Sequence, residues 1–293
     1  MRITKLCMAF MTIVLLASCE KAVIDESEKP EEHANLILRI TGFEQIPFDT
    51  RSTTDITELC SHISFVLFKD GEKVKELKQK TGDSDFGTAA LSLAEGNYKL
   101  VVVAHNGPKN ATVSSADEIY FNDEDNKKNV YDTFYYYGEV KVDNNLNSME
   151  LILSRPVSMF RFEITDNMPE NVRKMQFYYT GGSSTFNAES GYGSVNSRQT
   201  VKIDVKSEQI GRPTEFEVYT FLHDNEGSLK MKVSAMDGSE NVLYEREFPE
   251  VPMRRNAITK YTGTFFDGGN SSSDRVFTFK ADGEWNSENE YSY

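Results

Sequence analysis

The chain has 293 residues, of which 46 are acidic and 32 are basic, so its formal net charge is −14 at pH 7. This acidity argues against nucleic-acid binding, which depends on basic patches that face phosphates, and against adsorption to anionic lipid. The length fits one large domain or two domains of ordinary size.

The first 19 residues have the layout of a lipoprotein export signal. MRITK supplies Arg2 and Lys5, LCMAFMTIVLLA is an apolar run too short to span a membrane, and LLASC places small residues before Cys19. This order resembles a bacterial lipobox. It predicts a signal peptide over residues 1–18, removed before Cys19, with lipid attached to the Cys19 thiol. The alternative is an ordinary signal peptide followed by an incidental cysteine.

Residues 19–34 are predicted to be an acidic tether. The segment EKAVIDESEKPEEHA is rich in charge and has too little apolar content to order itself. One interpretation is a flexible spacer. The other is a sorting signal for the outer membrane or cell surface, because acidic residues directly after the lipidated cysteine resemble those of Bacteroidetes surface lipoproteins.

The rest of the chain is predicted to form strands. In SMFRFEIT, Phe160, Phe162 and Ile164 alternate with polar residues, and VKIDVK and LKMKVSA alternate in the same way. A period of two is typical of antiparallel strands with one buried face. Further strand candidates are NLILRIT, HISFVLF, AALSL, YKLVVVAH, FYYYGEVKV, MELILS, KMQFYY, EFEVYTFL, VLYEREF and AITKYTGTFF.

Three local features refine this prediction. YKLVVVAH is apolar at successive positions, which predicts a strand covered on both faces. Asp70-Gly71 and Asp237-Gly238 follow strand patterns and predict hairpin turns. SSADEIYF is the one segment that favours a turn or two of helix, capped by Ser114 or Ser115.

The chain divides most naturally in LSRPVS, where Pro156 interrupts two strand patterns. Short strands at such spacing favour sandwiches. We therefore predict two β-sandwich domains, an N-terminal one over residues 35–154 and a C-terminal one over residues 155–293.

No residue pattern indicates catalysis or a metal site. The chain lacks a phosphate-binding glycine loop, a nucleophile elbow and metal-ligand spacings, so we predict that the protein is not an enzyme and has no cofactor. Cys60 would be unpaired once the signal peptide is removed and Cys19 acylated; it is interpreted as a small buried residue, or as a nucleophile with His62 as base. NDEDN, residues 122–126, is interpreted as an acidic loop or a calcium site without the EF-hand glycine.

Aromatic residues are the remaining candidates for a binding site. YDTFYYYGEV carries Tyr131, Phe134, Tyr135, Tyr136 and Tyr137, which suit either strand packing or stacking against sugar rings. The single tryptophan, Trp285, is either a sugar platform or an aromatic that pins the last segment. The alternative function that follows from these residues is a surface glycan-binding lipoprotein.

Several stretches together resemble the fimbrillin and fimbrial-anchor family of the Bacteroidetes. They are the lipobox that ends at Cys19, ISFVLFKDGEKV, LAEGNYKLVVVAHNG, MELILSRPVSMFRFEI and VPMRRNAITKYTGTF. The resemblance implies an all-β fold of two tandem transthyretin-like (Greek-key) β-sandwich domains. It also implies an outer-membrane lipoprotein at the cell surface that serves as a structural or anchoring subunit of a fimbria (type V pilus), contributes to adhesion, and has other fimbrial subunits as partners.

Arg51, in PFDTRSTTDI, has two interpretations under this resemblance. In related stalk and tip subunits a trypsin-like protease cuts at an arginine after the first strand, and a strand of another subunit fills the groove that opens. Here NLILRITG is the first strand pattern, so a cut after Arg51 would remove residues 19–51, including the lipid and that strand. Anchor members keep the lipid and are not cut, in which case Arg51 is an ordinary loop residue.

Overall fold

The computed structural model describes residues 34–44, 56–123, 127–266 and 278–280, the last range as backbone alone. Its strands are β1 (Leu36–Glu44), β2 (His62–Lys69), β3 (Glu72–Lys80), β4 (Thr88–Leu91), β5 (Gly96–His105), β6 (Thr112–Ser115), β7 (Glu118–Asn122), β8 (Lys128–Asn129), β9 (Thr133–Val142), β10 (Asn147–Ser154), β11 (Val157–Ile164), β12 (Lys174–Thr180), β13 (Thr185–Asn187), β14 (Tyr192–Gly193), β15 (Gln199–Asp204), β16 (Thr214–Phe221), β17 (Glu226–Met236), β18 (Val242–Arg254), β19 (Ile258–Gly263) and β20 (Thr278–Lys280). The helical segments of this part of the chain are α1 (Ile56–Leu59) and a 3-10 turn (Ser207–Gln209). The prediction of an all-β protein is confirmed.

The first half of the chain forms a seven-stranded sheet in the order β3-β2-β5-β9-β10-β1-β4. β9 and β10 pair at Tyr135 and Ser154. Apolar side chains of β2, β5 and β9 pack against those of β1, β4 and β10 around one core. The sheet therefore folds over on itself as a sandwich, and the alternating apolar residues of its strands supply the buried area that stabilises it.

The second half forms two four-stranded sheets, β15-β12-β17-β18 and β16-β11-β19-β20. Their facing side chains make a second core that is rich in phenylalanine, including Phe160, Phe162 and Phe177. Phe162 meets Phe177 edge-on, with ring centroids 6.1 Å apart, a favoured arrangement for aromatic pairs. The alternation predicted for SMFRFEIT is confirmed, because Phe160, Phe162 and Ile164 are all buried.

The two halves repeat one strand order. Strands β3-β2-β5-β9 of the first half correspond to β15-β12-β17-β18 of the second, and β4-β1-β10 correspond to β16-β11-β19. The directions also agree, since β1 is parallel to β10 and antiparallel to β4, while β11 is parallel to β19 and antiparallel to β16. The strand that corresponds to β1 in the second half is thus β11.

A third core joins the halves. Strand β13 of the second half pairs with β7 of the first in a small sheet that also contains β6, β8 and β14. Phe121, Phe186 and Phe221 stack there, with ring centroids 6.3 Å apart for Phe121 and Phe221 and 4.9 Å for Phe186 and Phe221. This core covers the outer face of β2 and β5, to which Val66 and Val101 contribute.

The prediction of helix in SSADEIYF is wrong. The segment forms the β6–β7 hairpin, which turns at Ala116 and Asp117, and Ser115 donates a hydrogen bond to Asp117 rather than capping a helix. Ile119 and Phe121 alternate toward the third core and are fully buried. Packing in that core therefore determines the local structure, and the serine residues at the start of the segment do not.

The prediction for YKLVVVAH is confirmed, because β5 is covered on both faces. Leu100 and Val102 belong to the core of the first sandwich, whereas Val101 and Val103 belong to the third core. Both predicted hairpins also form. Asp70 and Gly71 have φ values of 54° and 85° between β2 and β3, as a tight hairpin turn requires, and Asp237-Gly238 lies between β17 and β18.

Candidate strand-acceptor groove

The first strand lies inside the first sheet. β1 is parallel to β10 from Leu36, opposite Asn147, to Glu44, opposite Ser154, and it is antiparallel to β4 on its other edge. Leu36 and Leu38 point into the core and are 1% and 0% exposed. β1 therefore fills a groove whose walls are β10 and β4 and whose floor is the core.

β1 contains a β-bulge and continues to Glu44, past the end of the predicted strand. Ile40 pairs with Leu151 and Gly42 with Ile152, so Thr41 is an extra residue relative to β10. The extra residue reverses the alternation, and Phe43, opposite Leu153, packs against the core of the first sandwich. Its ring meets Phe134 edge-on, with centroids 4.6 Å apart. The sequence pattern missed Phe43 because a period of two places it on the outer face.

Phe134 connects this end of the groove to a buried ion pair. The guanidinium carbon of Arg155 lies 4.5 Å from the centre of the Phe134 ring. Arg155 approaches Asp132 through two nitrogens, with Nε 2.8 Å from Oδ1 and Nη2 2.9 Å from Oδ2. Burial raises the pKa of Asp132 and lowers that of Arg155, and each partner opposes the shift of the other. Arg155 lies where the two halves of the chain join, just before β11, and Asp132 lies directly before β9.

Gln79 fixes the outer wall of the groove. This residue of β3 is 3% exposed, and its amide nitrogen donates to the carbonyls of Asp85, at 3.1 Å, and Thr88, at 2.7 Å. Its amide oxygen accepts from the backbone nitrogen of Gly87 at 3.0 Å. Three hydrogen bonds thus hold the start of β4 independently of β1, and no sequence pattern marked Gln79 for this role.

Cys60 has the environment of a structural residue. It is 3% exposed, and burial together with the negative charge of Asp132 raises the pKa of its thiol. A thiol that stays protonated is a poor nucleophile. His62 is engaged elsewhere, since its Nδ1 lies 2.9 Å from Ser61 Oγ and its ring stacks on His105 at 5.5 Å. These contacts favour the buried-residue interpretation.

The tyrosines of β9 pack within the protein. Tyr135 meets Phe186 edge-on at 4.8 Å and accepts a hydrogen bond of 3.1 Å from Arg255. Tyr137 donates to Glu189 at 2.9 Å, and Tyr136 packs against the core of the first sandwich. Tyr131 and Phe134 are likewise held in aromatic contacts. This arrangement favours the structural interpretation of the tyrosine cluster over a sugar platform.

Several predicted sites lie outside the described residues, namely Cys19, Arg51 and Trp285. In the acidic loop, Asp123 accepts a hydrogen bond of 2.8 Å from the backbone of Lys127, and residues 124–126 are not described. Among the residues that are described, no three His, Cys, Asp or Glu side chains cluster as metal ligands would. The same part of the chain contains no helix with the length and hydrophobicity of a membrane span.

Comparison with solved structures supports the fold. A candidate adhesin from Bacteroides ovatus ATCC 8483 has a TM-score of 0.50 at 15% identity, over 81% of this chain and 88% of that chain. A second candidate adhesin from Bacteroides ovatus has a TM-score of 0.50 at 12% identity, over 80% of this chain and 92% of that chain. A fimbrial assembly protein from Parabacteroides distasonis ATCC 8503 aligns at 14% identity over 84% and 94% of the two chains, with a TM-score of 0.42.

At these identities the likeness to the two Bacteroides ovatus proteins concerns the fold alone, and at that level it agrees with the all-β fold expected from the sequence. No curated protein matches the chain. One family profile, described as a family of unknown function (DUF6562), matches residues 44–291. Since that match covers most of the chain, the protein belongs to the DUF6562 family.

Proposed function

We propose that the protein is a structural or anchoring subunit of a cell-surface fimbria that contributes to adhesion and assembles with other fimbrial subunits by strand exchange. The observation that carries the proposal is the position of β1, which is the first described strand and is paired on both edges. The fold shared with the two Bacteroides ovatus adhesins supports it. The proposed role is mechanical and requires no catalysis.

The physics of strand exchange suits β1. Its departure would expose the unpaired backbone groups of β10 and β4 together with the apolar floor beneath Leu36 and Leu38. An incoming strand restores the backbone hydrogen bonds and fills the pockets, so it binds with both affinity and specificity. β4 would remain in place as a wall, because Gln79 holds it from β3.

Two states of the chain follow from this proposal. In an anchor, the lipid on Cys19 holds the protein at the outer membrane and β1 stays in its groove. In a cut subunit, cleavage after Arg51 separates the lipid and β1 from the rest of the chain. Segment 45–55 begins directly after the last residue of β1, Glu44, so a cut there would free β1 for exchange.

The domain division at residues 154 and 155 belongs to the same proposal, as does the transthyretin-like character of both domains. The repeated order of seven strands in the two halves supports it. The pairing of β7 with β13 across the division and the third core indicate that the two domains are held together as a unit.

Limited proteolysis tests the proposal. We expect mild trypsin to cut the folded protein preferentially at Arg51, because its neighbours Asp49, Thr50, Ser52, Thr53 and Thr54 have little apolar surface to bury. The fragment that carries β1 should stay bound in native gel filtration and separate only under denaturation, since backbone pairing and buried leucines hold it. Arg39 is the internal control, because its side chain is exposed but its backbone is paired inside β1. Early cleavage at Arg39, or immediate loss of the fragment, would contradict the proposal.

A second expectation concerns the anchor. Cys19→Ala should move the protein from the membrane fraction to the soluble periplasmic fraction or leave it unprocessed, with its fold intact. The physical reason is that stable attachment depends on the acyl chains, which an alanine cannot carry. Fractionation with circular dichroism of the released protein checks this, and Cys60→Ala is the matched control for loss of a thiol. A Cys19→Ala variant that stays firmly in the membrane would show that the lipobox interpretation is wrong.

A further inference from the structure

We propose that the groove occupied by β1 is selective for a strand that carries three alternating apolar residues followed by an aromatic residue, and that this strand belongs to a different polypeptide. The inference rests on the proposed strand exchange and names the partner of that site. The occupant would run parallel to β10, as β1 does.

The selectivity follows from the side chains that β1 places in the groove. Leu36, Leu38 and Ile40 enter at every second position, and Phe43 enters three residues further on, because Thr41 is the extra residue of the bulge. The hydroxyl of Thr41 lies 3.5 Å from the carbonyl oxygen of Leu151, on the strand that the bulge faces. The groove therefore has three aliphatic positions and one aromatic position at its far end.

The aromatic position affects more of the structure than its direct contact with Phe134. The Phe43 ring covers Phe134, and Phe134 in turn lies against the guanidinium of Arg155, which pairs with the buried Asp132. An incoming strand with a small residue here would leave a cavity against Phe134, the ring that packs on Arg155. A cavity of this kind weakens binding.

No other segment of this chain fits the groove. Outside residues 36–43, the 293-residue sequence contains no run in which apolar residues occupy positions i, i+2 and i+4 and Phe, Tyr or Trp occupies position i+7. The result is the same when the aromatic residue is sought at i+6, the spacing of a strand without the bulge. These 293 residues therefore offer no second donor strand, and we infer that the occupant that replaces β1 comes from another subunit.

Peptide exchange tests the selectivity. A site-specific protease sequence is inserted into segment 45–55 of the full chain, the protein is cut, and labelled peptides are added at equilibrium. The peptide with the sequence of Leu36–Glu44 should enter the groove, whereas the same peptide with Phe43→Ala should bind roughly tenfold or more weakly. The same peptide with Arg39→Ala, a change at an exposed position on the outer face of β1, is the matched control and should bind like the parent.

The outcomes separate this inference from the proposed function. Equal binding of the parent and Phe43→Ala peptides would overturn the selectivity and leave strand exchange standing. Failure of the parent peptide to enter would instead count against strand exchange itself. The cut protein, concentrated without peptide, should form no polymer. Polymers would show that a copy of this chain donates the strand, and reciprocal dimers of the uncut protein would show that the donor strand is β1 of a second copy. Either result would overturn the inference.

Discussion

Replacing Arg155 by alanine should lower the free energy of unfolding by about 3–5 kcal/mol, the usual cost of breaking a buried ion pair from one side. Asp132 is 8% exposed, and its two carboxylate oxygens each face an Arg155 nitrogen at 2.8 or 2.9 Å. Without the guanidinium, a buried carboxylate remains without its positive partner. Chemical denaturation of the wild type and the variant measures the loss.

The matched control removes both charges. Because burial shifts the pKa of each partner against ionisation, the pair stabilises the fold less than its short distances imply. The double variant Asp132→Leu/Arg155→Met should therefore recover most of the stability, to within about 1–2 kcal/mol of the wild type, the remainder reflecting the lost cation–π contact with Phe134. A double variant as unstable as the single one would show that shape, not charge compensation, makes Arg155 necessary.

The location of this pair links stability to the proposed role. Asp132 precedes β9 in the first half, and Arg155 precedes β11, the first strand of the second half. The same region adjoins Phe134 and, through it, the end of the groove that holds Phe43. In the proposed fimbrial role, tension that enters through a strand in the groove would reach the second half in part through this junction, so a rigid junction would serve that role.

Much of the fold is visible in the sequence because strands with one buried face alternate. Leu229, Met231 and Val233 of β17 are all buried, as the pattern of LKMKVSA predicts. The continuous apolar run of β5 is equally informative, since only a strand between two cores needs Val101 and Val102 to be buried on opposite faces. In both strands local composition and tertiary packing agree, and prediction succeeds where they do.

Prediction fails where a single residue changes the register or a buried polar group has a distant partner. Thr41 reverses the alternation of β1, and nothing local distinguishes it from an ordinary strand residue. Gln79 sits among lysines and glutamates of an edge strand, so its burial against β4 leaves no trace in composition. Asp132 and Arg155 lie 23 positions apart and meet because the start of β9 lies beside the end of β10, where Tyr135 pairs with Ser154.

The repeated strand order was also hidden, for a related reason. The corresponding strands β1 and β11 read LILRITGFE and VSMFRFEI, and they share alternation but no motif. Topology depends on which strands pair, and many sequences with the same periodicity satisfy one pairing scheme. The duplication is therefore evident only from the sheets.

The second large effect is expected at Arg51, where alanine should abolish incorporation of the protein into higher-order fimbrial species while leaving export intact. As long as segment 45–55 is continuous, β1 is tethered beside its own groove at an effective concentration on the order of millimolar, which a strand from another subunit must overcome. Cleavage removes that advantage, and once the displaced β1 diffuses away the exchange cannot reverse.

The matched variants make this expectation specific. Arg51→Lys keeps a site for a trypsin-like protease and should restore assembly, and Arg39→Ala removes a basic residue of β1 that is exposed and should change nothing. Unheated gel electrophoresis of outer-membrane fractions reports the assembled species, and the mature N-terminus reports the cut. If Arg51→Ala assembles like the wild type, β1 stays in its groove throughout, Arg51 is an ordinary loop residue, and the protein serves as an uncut anchor held by the lipid on Cys19.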